Sequence, residues 1–195
     1  MTAQSLTGRQ VRPRIYLAGF DVFRPDALEY GRSLQRLCDS FGFDAHYPLD
    51  SAPPASIGRS ERAAWIYSAN VEAIRRADIV LANLNDFRGA GEPDSGTAFE
   101  VGFAVALGKE VWGYCRDGAA LLERVPGNMS ADGRLCKRGF LIEDFGLPVN
   151  LMIACAARIV TGGPQECLRA IMVAHGTGNT PSRYRLTGGS EIRQV

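Results

Sequence analysis

Several common functional signals are scarce or missing in this sequence. The only two histidines are His46 and His175, and neither stands in a metal-ligand pattern. The five cysteines contain no Cys-x-x-Cys pair, so neither a zinc site nor a disulfide framework is indicated. The formal net charge is +1 and no Lys/Arg run occurs, which argues against a nucleic-acid partner.

Long apolar segments are missing too. No run approaches the roughly 20 residues that a membrane-spanning helix needs, and the N-terminus lacks the apolar segment of a secretory signal. We therefore predict a soluble, cytoplasmic protein without membrane contact. Residues 1–13 are expected to form a flexible leader, residues 14–174 a single α/β domain, and residues 175–195 a polar, Gly-rich tail.

Short apolar runs alternate with helical segments along most of the chain. Strands are predicted at residues 14–19, 43–49, 78–84, 110–115 and 158–160. Helices are predicted at residues 25–42, 60–77, 97–108, 119–125, 150–157 and 164–174, whereas residues 126–148 are expected to be irregular. This alternation predicts an α/β fold, a flavodoxin-like three-layer sandwich with a five-stranded parallel sheet in the order 2-1-3-4-5.

In that strand order, a ligand binds at the carboxyl ends of strands 1 and 3. The turn after strand 1, at residues 18–23, has neither G-x-G-x-x-G nor a P-loop, and its Asp21 would repel a phosphate. A dinucleotide cofactor is therefore not expected. The long Gly/Pro loop after strand 3, at residues 85–96, leads to two carboxylates, Asp94 and Glu100.

Two interpretations of the stretch from Asp94 to Glu100 stay open on residue types alone. In the structural one, Thr97 and Glu100 form a capping box, and Asp94 or Ser95 is a simple N-cap. In the catalytic one, a carboxylate in the first helical turn stays ionised and attacks an anomeric carbon, and a second acid protonates the leaving group. Gly102 costs about 1 kcal/mol against Ala inside a helix, which suggests that another backbone approaches closely.

Four segments together carry a family resemblance, at residues 15–27, 70–89, 92–109 and 143–152. They contain IYLAGFDVF, ADIVLANLNDFRG, EPDSGTAFEVGFAVALGK and EDFGLPVNLM. The sequence thereby resembles the nucleoside 2-deoxyribosyltransferase family, and in particular its branch with FRG and EPD-x-GTAFE. The family exchanges the base of a 2'-deoxynucleoside for another free purine or pyrimidine, and it requires no metal or organic cofactor.

The resemblance implies specific roles for five residues. Glu100 is the nucleophile that forms a deoxyribosyl ester at C1', and Asp94 holds the sugar hydroxyls or assists with the proton. Tyr16 orients Glu100, unless it is only a core tyrosine. Asn70 contacts the base, unless it lies on a polar helix face. Asn150 binds the 5'-hydroxyl in a neighbouring subunit, unless it is only a helix cap; the first alternative implies a homo-oligomer, a dimer or a hexamer.

Four further residues are weaker candidates for substrate contacts. Phe20 and Phe23 would stack on the base or pack in the core. Asp86 and Arg88 would contact the ligand or form an ion pair with each other. Phe20 stands where the family usually has Pro, which leaves the shape of the base pocket open.

Two glycines are expected to allow close backbone approach at the site, Gly19 and Gly96. A crowded wall near C2', formed by Tyr16 and Gly96, would exclude ribonucleosides. Transfer to a second base, in place of hydrolysis, requires that water be poorly placed in the pocket.

Three other functions remain possible on the sequence alone. A related deoxynucleoside or deoxynucleotide N-hydrolase would share the fold and Glu100, but the deoxynucleotide enzymes have a Ser-, Gly- and Arg-rich phosphate-binding turn after strand 1. A non-catalytic nucleoside-sensing module would keep Asn70 and Phe23 but would not need Glu100. A flavodoxin-like structural or signalling domain would use residues 85–96 only as a loop.

Overall fold

The structure, a computed structural model, describes residues 12–176. Its strands are β1 (Arg14–Ala18), β2 (Asp44–His46), β3 (Ile79–Asn83), β4 (Glu110–Cys115), β5 (Gly127–Ser130), β6 (Gly133–Cys136) and β7 (Arg158–Thr161). Its helices are α1 (Ala27–Ser40), α2 (Arg59–Arg76), α3 (Ser95–Ala106), α4 (Leu121–Arg124), α5 (Leu151–Ala154) and α6 (Pro164–Gly176), with a 3-10 turn at Phe20–Phe23.

Five parallel strands form one sheet in the order β2-β1-β3-β4-β7. Because β7 is the fifth strand of this sheet along the chain, the predicted order 2-1-3-4-5 and the flavodoxin-like α/β fold are confirmed. Ile15 pairs with Ile79, and Ala18 pairs with Ala82, so the carboxyl ends of β1 and β3 lie side by side. The edge of the sheet that should bind a ligand is therefore built from the predicted strands.

The prediction for the segment between β4 and β7 is wrong in one respect. Residues 126–148, expected to be irregular, contain the antiparallel hairpin β5–β6, in which Ser130 pairs with Gly133. The two-residue loop of this hairpin is Ala131-Asp132, followed by Gly133 with a positive φ of 129°, and the flanking strands lack the usual β-branched residues. The helix predicted at residues 150–157 shortens to the single turn α5.

The sheet separates two apolar cores, one on each face. On one face, α1 and α6 pack over Ile15 and Leu17, and Leu168 of α6 belongs to the same core. On the other face, α2, α3 and α5 cover side chains that include Tyr16 and Val101. Side chains alternate between the faces along each strand. The carboxyl edge of the sheet therefore borders two crevices, one on each side.

Most of the predicted leader and tail lies outside the described residues, in residues 1–11 and 177–195. Arg12, which the leader prediction includes, donates from Nε to the carbonyl oxygen of Gly42 over 3.1 Å. His175, where the predicted tail starts, still belongs to α6. Within the part of the chain that the structure describes, no helix is both long and apolar enough to cross a membrane.

Candidate active site

Asp94 is the N-cap of α3, the helix that carries both candidate carboxylates. Its Oδ2 accepts hydrogen bonds from the backbone N–H of Thr97 over 2.9 Å and from Thr97 Oγ1 over 3.1 Å. The interpretation of Asp94 as a cap is therefore confirmed. The capping box of Thr97 and Glu100 is wrong, because the helix already begins at Ser95 and Glu100 has a different partner.

That partner is Tyr16 on β1. Its hydroxyl donates a hydrogen bond of 2.5 Å to Oε1 of Glu100 and joins two residues 84 positions apart. Tyr16 is fully buried in the core beneath α3, and its ring stacks on His46 with 6.0 Å between centroids. The contact predicted between Tyr16 and Glu100 is present, and it holds the carboxyl group in a fixed position against the sheet.

The environment of Glu100 shifts its proton affinity. Burial raises the pKa of Glu100 from 4.5 to about 7; the hydrogen bond from Tyr16 opposes this rise, and the charge of Asp94 adds to it. The expectation that the helix dipole keeps Glu100 ionised is therefore wrong. Glu100 lies in the second turn of α3, beyond the short reach of the dipole, and burial dominates.

Tyr16 stays a hydrogen-bond donor at neutral pH. Burial raises the pKa of Tyr16 above its ordinary value, and both the charge of Glu100 and the bond to it add to the rise. A neutral hydroxyl thus faces a carboxyl group that is about half ionised near pH 7. Such a pair, in which burial tunes an acid to neutral pH, is typical of catalytic sites.

Both glycines expected to allow close approach do so, but each makes room for a protein side chain. A Cβ atom at Gly96 would lie 2.9 Å from Oδ2 of Asp94, so a side chain there would disturb the cap. A Cβ atom at Gly19 would lie 2.9 Å from both the Cβ of Asn83 and Oδ2 of Asp21. Gly19 therefore lets the turn after β1 pass close to the end of β3.

That turn is tied to β3 by a buried polar bond that the sequence reasoning missed. The Nδ2 of Asn83 donates to Oδ2 of Asp21 over 2.8 Å, and Asn85 donates from Nδ2 to Oδ1 of Asn83 over 2.6 Å. Asp21 and Asn83 are both buried. The signal was available, since Asp21 follows β1 and Asn83 ends β3, and the carboxyl ends of these neighbouring strands meet.

A small aromatic group lies at the same edge of the sheet. Phe20 and Phe23 both stack on Phe87, with centroid distances of 5.0 and 5.4 Å. The guanidinium of Arg88 lies 4.5 Å above the ring of Phe87. Phe23 is 59% exposed, so this group presents a flat aromatic surface to solvent. Sequence reasoning named Phe20, Phe23 and Arg88 but missed Phe87, which joins them.

The ion pair considered between Asp86 and Arg88 is wrong. Asp86 instead pairs with Arg124, whose Nη2 lies 2.9 Å from Oδ1, and it also accepts the backbone N–H of Gly91 over 3.0 Å. Arg88 has a positive φ of 60°, which is uncommon for a residue other than glycine. Asp86 thus fixes the shape of the loop, and Arg88 lies above the ring of Phe87.

Asn70 lies half-buried on α2, which packs against α3. One turn earlier, the ring of Tyr67 lies 6.0 Å from that of Phe99, the residue next to Glu100. The packing of these rings brings the Asn70 end of α2 to the helix that carries the carboxylates. Its contact with a base stays a prediction.

Asn150 is the N-cap of α5, so its interpretation as a helix cap is confirmed. Its Oδ1 accepts the backbone N–H of Met152 over 3.0 Å, and its Nδ2 donates to Glu143. Asn150 lines a cavity of about 690 Å³ between α3, the hairpin and α5, beside Met152, which is 73% exposed. That Asn150 reaches the site of a neighbouring subunit stays a prediction. The hydrogen bond from Asn150 to Glu143 was not predicted from the sequence.

Fold and site together define a flavodoxin-like α/β domain with a tyrosine-held glutamic acid at the carboxyl edge of its sheet. The comparison with known families agrees with this class: residues 15–152 match the model of the nucleoside 2-deoxyribosyltransferase family. The chain belongs to the nucleoside 2-deoxyribosyltransferase family.

Individual relatives differ in how much they share with this chain. A 2-desoxiribosyltransferase from Leishmania mexicana is 31% identical, with a TM-score of 0.65, over 84% of this chain and 98% of its own. A 2-deoxyribosyltransferase from Bacillus psychrosaccharolyticus is 21% identical, with a TM-score of 0.53, over 81% and 89% of the two chains, and shares the fold. An uncharacterized protein from Schizosaccharomyces pombe is 34% identical over 120 residues, 58% of this chain; the chain spans about half of its length.

Proposed function

We propose that the protein is a nucleoside 2-deoxyribosyltransferase that exchanges the base of a 2'-deoxynucleoside for another purine or pyrimidine. The observation that carries the proposal is the contact between Tyr16 and Glu100, in which a fully buried hydroxyl holds a carboxyl group with a pKa of about 7. Helix capping does not need this contact, since Asp94 already caps α3. Membership of the family supports the reaction class.

The proposed reaction is a double displacement through Glu100. Oε1 of Glu100 accepts the bond from Tyr16, and Oε2 has no hydrogen-bond partner among residues 12–176, so Oε2 is the free nucleophile. Oε2 attacks C1', the C1'–N bond breaks, and its electron pair leaves with the base, which takes a proton from the second acid, Asp94. The carboxylate stabilises the oxocarbenium character that develops. A nitrogen of the second base then attacks C1', the ester bond to Glu100 breaks and releases the carboxylate, and the proton of that nitrogen returns to Asp94.

Asp94 is the proposed second acid. Its Oδ2 is occupied by Thr97, whereas no residue in the described part of the chain bonds to its Oδ1. Oδ1 is therefore available to hold the sugar hydroxyls or to assist with the proton. Asp94 lies close enough to Glu100 for its charge to raise the pKa of that group.

The base and the 5'-hydroxyl require further contacts. We assign the base to Asn70 and to the aromatic surface of Phe20, Phe23 and Phe87, since stacking on a flat ring tolerates both purines and pyrimidines. We assign the 5'-hydroxyl to Asn150 of a neighbouring subunit, in a dimer or hexamer. Its cap position on α5, supported by Glu143, would hold the amide in place for this contact.

The residues of the turn after β1 argue against a deoxynucleotide hydrolase. A 5'-phosphate at the reaction site would need hydrogen-bond donors or cations, and the side chains of Phe20, Asp21, Val22 and Phe23 in this turn supply neither. Hydrolysis of the deoxynucleoside itself differs from transfer only in the second acceptor, water in place of a base.

An exchange assay tests the proposal. The protein is incubated with a 2'-deoxynucleoside and a different free base, and the products are separated by chromatography. We expect a new deoxynucleoside from the wild type, at least a thousandfold less from Glu100→Gln, and an unchanged yield from Glu29→Gln, which alters an exposed glutamate on α1. Free base and deoxyribose alone would identify a hydrolase, and no product at all would favour a sensing module.

A further inference from the structure

A second cavity opens at the same edge of the sheet, on the face opposite Glu100. It has a volume of about 470 Å³ and lies between the ends of β1, β3 and β4 and the starts of α1 and α6. Tyr114 and Tyr30, which line it, belong to the core under α1 and α6, whereas Tyr16 belongs to the core under α3. Neither Glu100 nor Asp94 lines this cavity.

Two buried polar groups face the cavity without full hydrogen bonding. Tyr114 is 4% exposed, and its hydroxyl has no hydrogen-bond partner among the described residues. Asp21 is 5% exposed; its Oδ2 is bonded to Asn83, but its Oδ1 has no partner within residues 12–176. Neither oxygen is fully enclosed by protein atoms, so both open onto the cavity, where a ligand can pair with them.

The charges around the cavity are only partly compensated. Two of its arginines are occupied, since Arg24 pairs with Asp26 over 2.8 Å and Arg124 pairs with Asp86 over 2.9 Å. The guanidinium of the third, Arg116, has no partner in the described part of the chain. Among the lining residues that the structure describes, this leaves the carboxyl groups of Asp21 and Asp117 and the cation of Arg116 without a salt bridge; Asp117 accepts the backbone N–H of Ala119 over 2.9 Å.

Asp21 and Arg116 lie near each other without touching. Burial raises the pKa of Asp21, and the charge of Arg116 is one of several influences that oppose the rise. No direct salt bridge joins them within 4.0 Å among the described residues. A molecule with an N–H donor at one end and an anionic group at the other would satisfy both. Phe20 and Tyr30 add aromatic rings to the walls, which suit a planar molecule.

We propose that this cavity is a second ligand site for a planar nitrogen heterocycle that carries an anionic group, of which a nucleoside monophosphate is an example. The N–H edge of the heterocycle donates to Asp21, the hydroxyl of Tyr114 pairs with a ring heteroatom, and the anionic group binds Arg116. The cavity volume falls within the range of about 300–1,000 Å³ that is usual for small-molecule sites. Apart from Phe20, which also belongs to the aromatic surface assigned to the base, the site is separate from the proposed exchange reaction and does not require it.

Isothermal titration calorimetry with adenosine 5'-monophosphate tests the proposal, since its amino group can donate to Asp21. We expect saturable binding that Arg116→Gln and Tyr114→Phe each weaken about tenfold, because each removes one hydrogen bond to the ligand. Arg36→Gln, which alters an exposed arginine on α1, and Glu100→Gln, on the other face of the sheet, should leave the affinity unchanged.

Titrations with adenine and with inorganic phosphate separate the two halves of the ligand. Each should bind more weakly than the nucleotide, because each reaches only one of the two groups, Asp21 or Arg116. The proposal is overturned if the nucleotide does not bind, if Arg116→Gln and Tyr114→Phe bind like the wild type, or if Glu100→Gln abolishes binding. Phosphate that binds as tightly as the nucleotide would also overturn it, since the heterocycle would then contribute nothing.

Discussion

Replacement of Tyr16 by Phe tests how the tyrosine controls Glu100. The substitution removes only the hydroxyl that donates the 2.5 Å bond to Oε1, and the ring keeps its place in the core. The bond favours the ionised form of Glu100 and so lowers its pKa against the effect of burial. Without the hydroxyl, the pKa of Glu100 should therefore rise further above its value of about 7.

The size of this rise follows from the strength of the lost bond. A hydrogen bond to a charged group contributes about 1.5–3 kcal/mol, and one pKa unit corresponds to about 1.36 kcal/mol. The pKa of Glu100 should therefore rise by roughly 1 to 2 units in Tyr16→Phe. At pH 7 the ionised fraction falls from about one half to between a tenth and a hundredth, so kcat/KM should fall roughly 5- to 50-fold.

The assay is the pH profile of kcat/KM for base exchange, which reports the pKa values of the free enzyme. The acid limb of the wild type should have its midpoint near pH 7, and that of Tyr16→Phe should lie higher by the amount given above. Tyr47→Phe is a matched control, because Tyr47 is also buried but its hydroxyl bonds to nothing in the described residues. An acid limb that does not move in Tyr16→Phe would refute this account of the pair.

Two further predictions concern stability and capping. Glu100→Gln should leave the free energy of unfolding unchanged at pH 4 and raise it by up to roughly 3 kcal/mol at pH 8, as denaturant unfolding at both pH values can measure. The reason is that the pKa of Glu100 in the folded protein, about 7, exceeds its ordinary value of 4.5, so ionisation of Glu100 destabilises the wild type as the pH rises between these values. Gly96→Ala should change stability little, since the better helix propensity of Ala offsets the disturbed cap, but it should reduce base exchange at least tenfold because it displaces Asp94. Gly102→Ala, at which a Cβ atom meets nothing within 4 Å, should stabilise the protein by about 1 kcal/mol and retain activity. Equal losses of exchange in both alanine variants would contradict the role given to Asp94.

The fold was largely predictable because its signals are local. Four of the five sheet strands contain a short apolar run, the exception being β2 with Asp44-Ala45-His46, and the alternation with helices leaves few possible topologies. The hairpin β5–β6 was harder to predict, since Gly127–Ser130 and Gly133–Cys136 contain few residues that favour strands. Its loop, Ala131-Asp132, is not one of the dipeptides that mark a hairpin, and only Gly133 after it is typical of a turn.

The site was predictable in its residues but not in its pairings. The positions of Asp94 and Glu100 on one helix follow from the sequence. Which of the two caps the helix and which is held by Tyr16 depends on where that helix begins. Asp86 pairs with Arg124, 38 residues away, in preference to the nearby Arg88. Such choices depend on the three-dimensional packing of loops, which residue spacing does not determine.

The first two turns of α3 meet two opposing requirements. Asp94, at the start of α3, uses the positive end of the helix and its free N–H groups, so its charge stabilises the fold. Glu100, in the second turn, receives neither benefit and is half-buried, so its ionised form is costly in the free protein. A positive charge that develops at C1' beside Oε2 would offset that cost in the transition state more than in the ground state. On this reasoning, the burial that raises the pKa of Glu100 contributes to the proposed catalysis, and Tyr16 keeps enough of the group ionised near pH 7 for the reaction to begin.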